Sequence, residues 1–322
     1  MSVEQVRWGV LGAAKIAREW LCPAIHNSEA GHIAAIASRT PGRGEALASS
    51  YGDVRIHAGY DELLADPEVD AVYVPLPNGV HAEWTERCLE AGKHVLCEKP
   101  IALKAGGIDR LIDVRDRTGL VAAEAFMVVH HPQWRRVRDI LASGELGELR
   151  RVQGAFSFFN DDPGNIRNQA GLGGGALRDI GVYPSVTTRF ATGKEPKEIR
   201  CAITWDSGID ASAAVWADFD GFTLDFYVSM RMAARQSMVF HGTDGFLELT
   251  APFNPPLYGE AMLRVRGNDG NVRFERFPMV NHYVQQIDAF NDAVLTGAPF
   301  PCTLEFSKRN QAMIDRIYAA AG

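Results

Sequence analysis

The sequence has few cysteines, and they form no recognisable pattern. Five are present among 322 residues, widely spread and without a CxxC pair. This spacing argues against a disulfide framework and against a cysteine-based zinc or redox site. We predict that the thiols are small buried side chains in a reducing cytoplasm. They are Cys22, Cys88, Cys97, Cys201 and Cys302.

Long apolar runs and an excess of positive charge are also missing. No window approaches the roughly 18 apolar residues of a membrane-spanning helix, and residues 1–5 do not resemble a secretory signal. The net charge of −7 and the pI of about 5.7 disfavour nucleic acid or an anionic membrane as the main partner. The sequence therefore predicts a globular cytoplasmic protein, long enough for two domains.

Metal-binding motifs are scarce as well. His130 and His131 are adjacent, but neighbouring side chains on a strand or helix point apart. No HExxH or HxH motif accompanies them. We therefore expect no metal site.

A strand, a tight turn and a helix open the chain. Residues 6–11 and 32–38 predict strands, with a helix to about residue 22 between them. The turn reads Gly12-x-Ala14-x-x-Ala17 and differs from the dinucleotide-binding G-x-G-x-x-G/A pattern at Ala14. We predict that backbone N–H groups here bind a pyrophosphate, with an ordinary βα turn as the alternative. The turn comprises Gly12, Ala13, Ala14, Lys15 and Ile16.

The end of the second strand indicates which dinucleotide binds. An NAD site usually places a carboxylate here, but this chain has Ser38, Arg39 and Thr40, followed by Arg43. Arginine binds the 2′-phosphate of NADP through charge-assisted hydrogen bonds. The sequence therefore favours NADP(H) over NAD(H), with a solvated basic loop as the alternative.

Strands and helices alternate through the first part of the chain, which predicts an α/β fold with a doubly wound parallel sheet. Asn78 is a candidate cap for one of these helices, and Asp61 or a close neighbour for another. The further predicted strands lie near 55–56, at 70–76, before Glu98 and at 120–126, and the predicted helices at 42–51, 60–65, 80–91, 104–117 and 132–142.

The later residues alternate with a period of two, which predicts an α+β domain with a large, mostly antiparallel, open-faced sheet. We place a nucleotide-binding domain at 1–125 and a substrate domain at 126–302, with the helix of 303–322 returning to the first domain. We expect the open sheet face to form a homodimer or homotetramer. The predicted strands are 148–159, 198–205, 211–219, 222–230, 236–241, 245–250, 261–266 and 272–277, and the predicted helices are 282–296 and 304–320.

Two stretches carry candidate catalytic groups. Glu98 and Lys99 follow a short buried strand, and ligands of open α/β sheets bind outside the carboxyl ends of strands. A long loop, 160–175, is a candidate lid. It leads to a helix on which Asp179 and Tyr183, four residues apart, share one face.

Four segments together carry a family resemblance: GVLGAAKIA, YVPLPNGVHAEW, HVLCEKP and NIRNQAGLGGGALRDIGVYPS. Over essentially its whole length the sequence resembles the Gfo/Idh/MocA oxidoreductases. Within that family it looks most like the dihydrodiol dehydrogenase and NADP-dependent D-xylose dehydrogenase branch. The resemblance implies a Rossmann domain followed by an α/β domain with an open antiparallel sheet.

The resemblance also implies roles for individual residues. It implies that Lys99 lies beside the nicotinamide, that the Lys99–Pro100 bond is cis, and that Asp179 and Tyr183 meet Lys99. Relatives of the Tyr branch often have an aromatic residue and an arginine where this chain has Val128 and Val129, which suggests a different or less polar substrate. The residues implied to line the cofactor site are Leu76, Pro77, Asn78, His81 and Glu98, and those implied near substrate are Asn160, Arg167 and His131.

These residues have structural alternatives. Glu98 is otherwise an acid at the surface end of a strand, and His81 a surface histidine in the first turn of a helix. Asn160 and Arg167 are otherwise loop stabilisers.

The chemistry implied is reversible hydride transfer between nicotinamide and a carbinol or carbonyl carbon of a sugar or polyol. We assign Tyr183 as general acid and base, since a nearby Lys99 ammonium favours the phenolate. In the rival assignment, Lys99 itself moves the proton. The alternatives for the whole protein are a 1,5-anhydrofructose-type reductase, a glucose–fructose oxidoreductase-like enzyme, NAD-dependent glycoside opening by transient oxidation, and a non-catalytic NADP-binding sensor.

Overall fold

The computed structural model describes residues 5–321, which form two compact units. The first unit runs to Met127 and also includes His282–Lys308. The second contains Val128–Asn281 and the residues from Arg309 onward. None of the described helices is both long and apolar enough to cross a membrane.

The first unit contains a six-stranded sheet in the order β3-β2-β1-β4-β5-β6. Every pairing is parallel, as the alternating pattern predicts. The strand order reverses between β1 and β4, and ligands of such sheets bind outside the carboxyl ends of strands at this switch point. The strands are β1 (Val6–Leu11), β2 (Gly31–Ala37), β3 (Arg55–His57), β4 (Ala71–Val74), β5 (His94–Cys97) and β6 (Ala122–Glu124).

The second unit contains an eight-stranded sheet in the order β14-β13-β12-β11-β7-β10-β9-β8. All neighbours are antiparallel except β7 and β10, which confirms the mostly antiparallel prediction. The strands are β7 (Leu149–Phe159), β8 (Glu198–Asp206), β9 (Ile209–Asp218), β10 (Thr223–Ser229), β11 (Arg231–Gly242), β12 (Gly245–Leu249), β13 (Met262–Gly267) and β14 (Val272–Arg276).

Ten α-helices occur among the described residues. A π-helical turn, Ala17–Leu21, precedes the first, and another, Leu177–Gly181, precedes the seventh. The helices are α1 (Cys22–Asn27), α2 (Arg43–Ala48), α3 (Tyr60–Leu64), α4 (His81–Glu90), α5 (Gly106–Thr118), α6 (Pro132–Ser143), α7 (Val182–Thr192), α8 (Pro255–Tyr258), α9 (His282–Thr296) and α10 (Leu304–Ala320).

Two helices divide between the units differently from the predicted boundaries. Helix α9 belongs to the first unit, where Phe290 packs on Trp8 of β1 and Asn291 accepts its indole N–H at 2.9 Å. The start of α10 also belongs there, and Leu304 lies in the core beside the parallel sheet. The rest of α10 belongs to the second unit.

Two predicted helix caps are wrong. A single 3-10 turn, Asn78–Val80, separates Asn78 from α4, which begins at His81 without a side-chain cap. Asp61 lies inside the first turn of α3, which follows Gly59. Glu62 accepts the N–H of Ala58, one residue before the N-cap position, at 3.2 Å, and α3 begins without a side-chain cap.

Candidate active site

The turn after β1 depends on one glycine. Gly12 has a φ of +89°, a left-handed conformation that favours glycine. A side chain there would meet nothing closer than 3.5 Å, so backbone conformation rather than crowding requires glycine. The Gly12 N–H donates to Ala37 of β2 at 2.7 Å, and the Ala14 carbonyl accepts Arg18 N–H at 3.1 Å. Because the first N–H groups of a helix lack intrahelical partners, this turn presents donors suited to a phosphate.

Positive charge collects at the end of β2. Arg39, Thr40 and Arg43 are exposed, and Ser38 accepts Thr40 N–H at 3.3 Å. The Arg39 guanidinium lies 5.2 Å from the ring centroid of Tyr60. Neither arginine forms an ion pair with a residue in the described part of the chain, so their charge is available to an anion.

Lys99 lies on a turn that buried side chains hold. Glu98 and Lys99 directly follow β5, and the Lys99–Pro100 peptide is cis. Tyr73 of β4 donates its hydroxyl to Glu98 Oε1 at 2.7 Å, and the Lys99 N–H donates to Glu98 Oε2 at 3.3 Å. Burial and the neighbouring Glu98 carboxylate hold the pKa of Tyr73 well above its usual value, so its phenol remains a donor. Glu98 and Lys99 are both half-buried.

His81 joins the ends of two strands. Its side chain is fully buried, which excludes the surface-histidine alternative. One ring nitrogen lies 2.8 Å from the Pro100 carbonyl and the other 2.6 Å from the Leu76 carbonyl. Burial lowers the pKa of His81. The His81 ring therefore lies between the Pro100 and Leu76 carbonyls, whereas Pro77 and Asn78 are half-buried.

In the second unit the structure brings Asp179 and Arg167 together. The Arg167 Nε donates to Asp179 Oδ2 at 2.6 Å. Asn160 has a loop-stabilising role, because its Oδ1 accepts the Asn168 amide at 2.8 Å and its carbonyl accepts Arg231. The predicted lid residues are thus bound within the second unit.

Tyr183 packs among aromatic rings. It is 4% exposed, and its ring centroid lies 5.4 Å from that of Phe156 and 5.5 Å from that of Phe253. Phe156 and Phe253 stack on each other at 5.1 Å. Offset and tilted packing of this kind stabilises aromatic clusters.

His131 and its neighbours are core residues. His131 is 0% exposed, and its Nδ1 accepts the Gln133 N–H at the start of α6. Burial lowers its pKa to about 4, so the ring is neutral near pH 7. Val128 and Val129 are also buried. In this structure the three side chains present no surface to a substrate. Among residues 5–321, no group of three or more potential ligands is arranged for a metal.

Sequence reasoning missed Asp210, which holds the start of the Asp179 helix. Its side chain is buried, Oδ2 accepts the Leu177 N–H at 2.6 Å, and Oδ1 accepts the Tyr318 hydroxyl at 2.7 Å. Gly175 has a φ of +125°, and a Cβ there would lie 1.9 Å from Asp210 Oδ1. The available signal is an aspartate inside an otherwise apolar strand segment, Ile209–Asp210–Ala211.

Comparisons with known proteins agree with both units. Residues 6–126 match the family model described as oxidoreductase family, NAD-binding Rossmann fold, and residues 134–248 match the GFO/IDH/MocA C-terminal domain. The oxidoreductase ORF334 of Rhizobium meliloti is 40% identical, over 99% of this chain and 98% of the relative.

Two further relatives are named for their activities. The dTDP-3,4-didehydro-2,6-dideoxy-alpha-D-glucose 3-reductase of Actinomadura kijaniata is 34% identical over 98% of this chain and 96% of its own. The D-xylose 1-dehydrogenase (NADP(+)) 2 of Haloferax volcanii is 35% identical over 98% and 97%. A crystal structure of KijD10, a 3-ketoreductase from Actinomadura kijaniata, with NADP and TDP-benzene covers 98% of each chain at 34% identity and a TM-score of 0.91. The chain therefore belongs to the Gfo/Idh/MocA oxidoreductase family.

Proposed function

We propose that this protein transfers a hydride between NADP(H) and a carbinol or carbonyl carbon of a sugar-like substrate. The observation that carries the proposal is the turn at Lys99, which hydrogen bonds hold on both sides. A half-buried lysine follows a parallel strand, and Tyr73 and His81 hold the residues on either side of it. A cationic side chain held in this position suits a substrate oxygen that gains negative charge during reduction.

NADP(H) fits the residues of the first unit. The helix start after Gly12, including Ala13, Lys15 and Ile16, would hold the diphosphate. The exposed group of Ser38, Arg39, Thr40 and Arg43 would hold the 2′-phosphate, since no carboxylate pairs with either arginine among the described residues. Leu76, Pro77 and Asn78 would line the crevice, and Glu98 would accept a ribose hydroxyl. When bound, the cofactor supplies or takes up the hydride.

The protein's own contribution is the proton and its placement. We assign Tyr183 to donate a proton to the substrate oxygen during reduction and to accept it during oxidation. Lys99 hydrogen-bonds that oxygen, and Asp179, paired with Arg167, orients the substrate. In the rival assignment the Lys99 ammonium moves the proton. Substitution of Lys99, rather than of Tyr183, would then remove the proton-transfer step.

The relatives suggest two substrate classes. One is a free aldose or a dihydrodiol. The other is a keto sugar on a nucleoside diphosphate, as the name of the Actinomadura kijaniata reductase indicates. An anhydrofructose-type reduction, a glucose–fructose-type reaction and a non-catalytic NADP sensor are the remaining alternatives. A sensor would bind NADPH without turnover on any substrate.

The test is an absorbance screen at the NADPH band. Purified protein is assayed with NADP and NAD against aldoses, polyols, dihydrodiols, dicarbonyls and a dTDP-keto sugar. We expect turnover with a sugar-like compound and a preference for NADP(H). NADPH binding without turnover across the panel refutes the enzyme proposal, and a strong preference for NAD refutes the assignment of Arg39 and Arg43.

We also propose a homodimer or homotetramer that uses the open face of the second sheet. A broad depression on this face is lined by Gln153, Arg200, Trp216, Asp225, Tyr227 and Arg235, among others. The lining combines arginine with tyrosine and tryptophan, residues that are enriched at protein interfaces. Light scattering after size-exclusion chromatography tests this, with Trp216→Glu expected to shift the mass toward a monomer. A monomeric wild-type protein contradicts it.

A further inference from the structure

A buried carboxyl group supports the turn that carries Lys99. Glu124 is the last residue of β6, which pairs with β5. Its side chain is buried, at 3% exposure. Its Oε1 accepts the Ile101 N–H at 2.9 Å, two residues after Lys99. The backbone on the far side of Lys99 is therefore held from the neighbouring strand.

The charge of this carboxyl group depends on the same turn. Burial raises the pKa of Glu124 to about 7. The Ile101 N–H and the Lys99 ammonium oppose that rise, and the Glu98 carboxylate adds to it. Both charged residues of the turn thus act on the pKa of Glu124.

This arrangement does not favour stability near neutral pH. A carboxyl group with a raised pKa in the folded state contributes stability at low pH, and that contribution is lost as the pH rises toward the folded-state pKa. A neutral side chain of similar shape would avoid the loss. The ionised Glu124 carboxylate is, however, a stronger acceptor for the Ile101 N–H than a neutral side chain. An ionised acceptor forms shorter and stronger hydrogen bonds than a neutral one.

We propose that Glu124 is a positioning residue for Lys99. Its carboxylate fixes the backbone at Ile101 and so determines where the Lys99 ammonium meets the substrate oxygen. The inference rests on the proposed role of Lys99. The hydrogen bond is strongest when Glu124 is ionised, so part of the activity depends on the ionisation of Glu124.

Glu124→Gln separates charge from shape. Glutamine keeps an oxygen acceptor for the Ile101 N–H but does not ionise. We expect wild-type kcat to fall as the pH is lowered through about 7, and the variant to lack that step. At about pH 8.5 the kcat of Glu124→Gln should be roughly three- to ten-fold below wild type, and at about pH 5.5 the two should agree. Glu124→Ala, which removes the acceptor, should lose more at both values.

Two further readouts do not depend on turnover. The NADPH dissociation constant, measured by fluorescence titration, should change less than about two-fold. The Tm of Glu124→Gln relative to wild type, measured without cofactor, should rise between about pH 5 and pH 8. Asn291→Ala is the matched control, since Asn291 is also buried in the first unit and bonds Trp8 and Ser28. It should lower Tm and leave the shape of the pH profile unchanged.

A Glu124→Gln profile that matches wild type, with the same step and the same kcat at high pH, overturns the positioning role. If Glu124→Ala does not fold, the glutamine variant decides alone. Wild-type protein that shows no turnover, whether or not it binds NADPH, refutes the proposed function, whereas active wild type with a matching variant refutes only the role of Glu124.

Discussion

The carboxylate of Asp210 accepts the backbone N–H of Leu177 at 2.6 Å. This bond lies at the start of the helical segment that carries Asp179 and Tyr183. The second oxygen of the same carboxylate accepts the Tyr318 hydroxyl at 2.7 Å. Strand β9 and helix α10 together therefore fix the start of the helical segment that carries these two candidate catalytic residues.

We expect Asp210→Asn to lower kcat by about ten-fold, since a displaced helix start misplaces Asp179 and Tyr183. An amide leaves one of two buried donors poorly satisfied, at a cost of about 1–3 kcal/mol in the free energy of unfolding. Tyr318→Phe removes a single donor and should cost less on both measures. Asp218→Asn makes the same change at the other end of β9 and should leave kcat unchanged. An Asp210→Asn variant with wild-type kcat contradicts the prediction.

Tyr183→Phe and Lys99→Ala distinguish the two proton assignments. If Tyr183 moves the proton, Tyr183→Phe should lower kcat by roughly 10²–10⁴-fold, the usual contribution of general acid–base catalysis. Stopped-flow measurement of hydride transfer at saturating cofactor checks this. Phe156→Leu serves as a packing control, since it disturbs the same aromatic cluster without removing a hydroxyl. A Tyr183→Phe variant that keeps most of its kcat transfers the assignment to Lys99.

Arg39→Ala should weaken NADP(H) and leave NAD(H) unaffected. Loss of one charge-assisted contact to the 2′-phosphate should raise the NADP KM by about ten-fold. The double variant with Arg43→Ala should lose more. Arg117→Ala removes an exposed arginine that pairs with Glu90 and should leave both cofactors unchanged. Equal losses for NADP and NAD would mean that the arginines do not contact the 2′-phosphate.

Asp66 should make stability depend on pH in the acid range. Burial opposes ionisation, but the Arg55 guanidinium, the Glu68 N–H and His57 outweigh it and lower the pKa of Asp66 to about 2. Because this pKa lies below the unfolded value, the stabilisation is present above about pH 4 and is lost as the pH falls toward 2. Asp66→Asn should reduce the free energy of unfolding by roughly 1–2 kcal/mol near pH 7. Urea denaturation at several pH values measures the difference, which should shrink as the pH falls; a constant difference contradicts this origin.

Local patterns in the sequence sufficed for much of the fold. The alternation of buried strands with helices predicted the parallel sheet, and the two-residue period after 148 predicted the antiparallel one. The same reasoning placed Lys99 at a strand end, because the apolar run that forms the strand stops at the charged residues Glu98 and Lys99. The pattern was less accurate at helix ends. It predicted Asn78 as the cap of a helix, but a 3-10 turn at Asn78–Val80 precedes that helix.

The sequence by itself determined the order of elements, the family and the residue types at the predicted site. Only the tertiary structure decided which side chains hold those residues in place. Each of these side chains contacts the backbone of another segment. His81 contacts the carbonyls of Leu76 and Pro100, Glu124 accepts the Ile101 N–H, and Asp210 accepts the Leu177 N–H. A buried polar group must find a partner, but which one it finds depends on distant segments that folding brings together, and no local period records that choice.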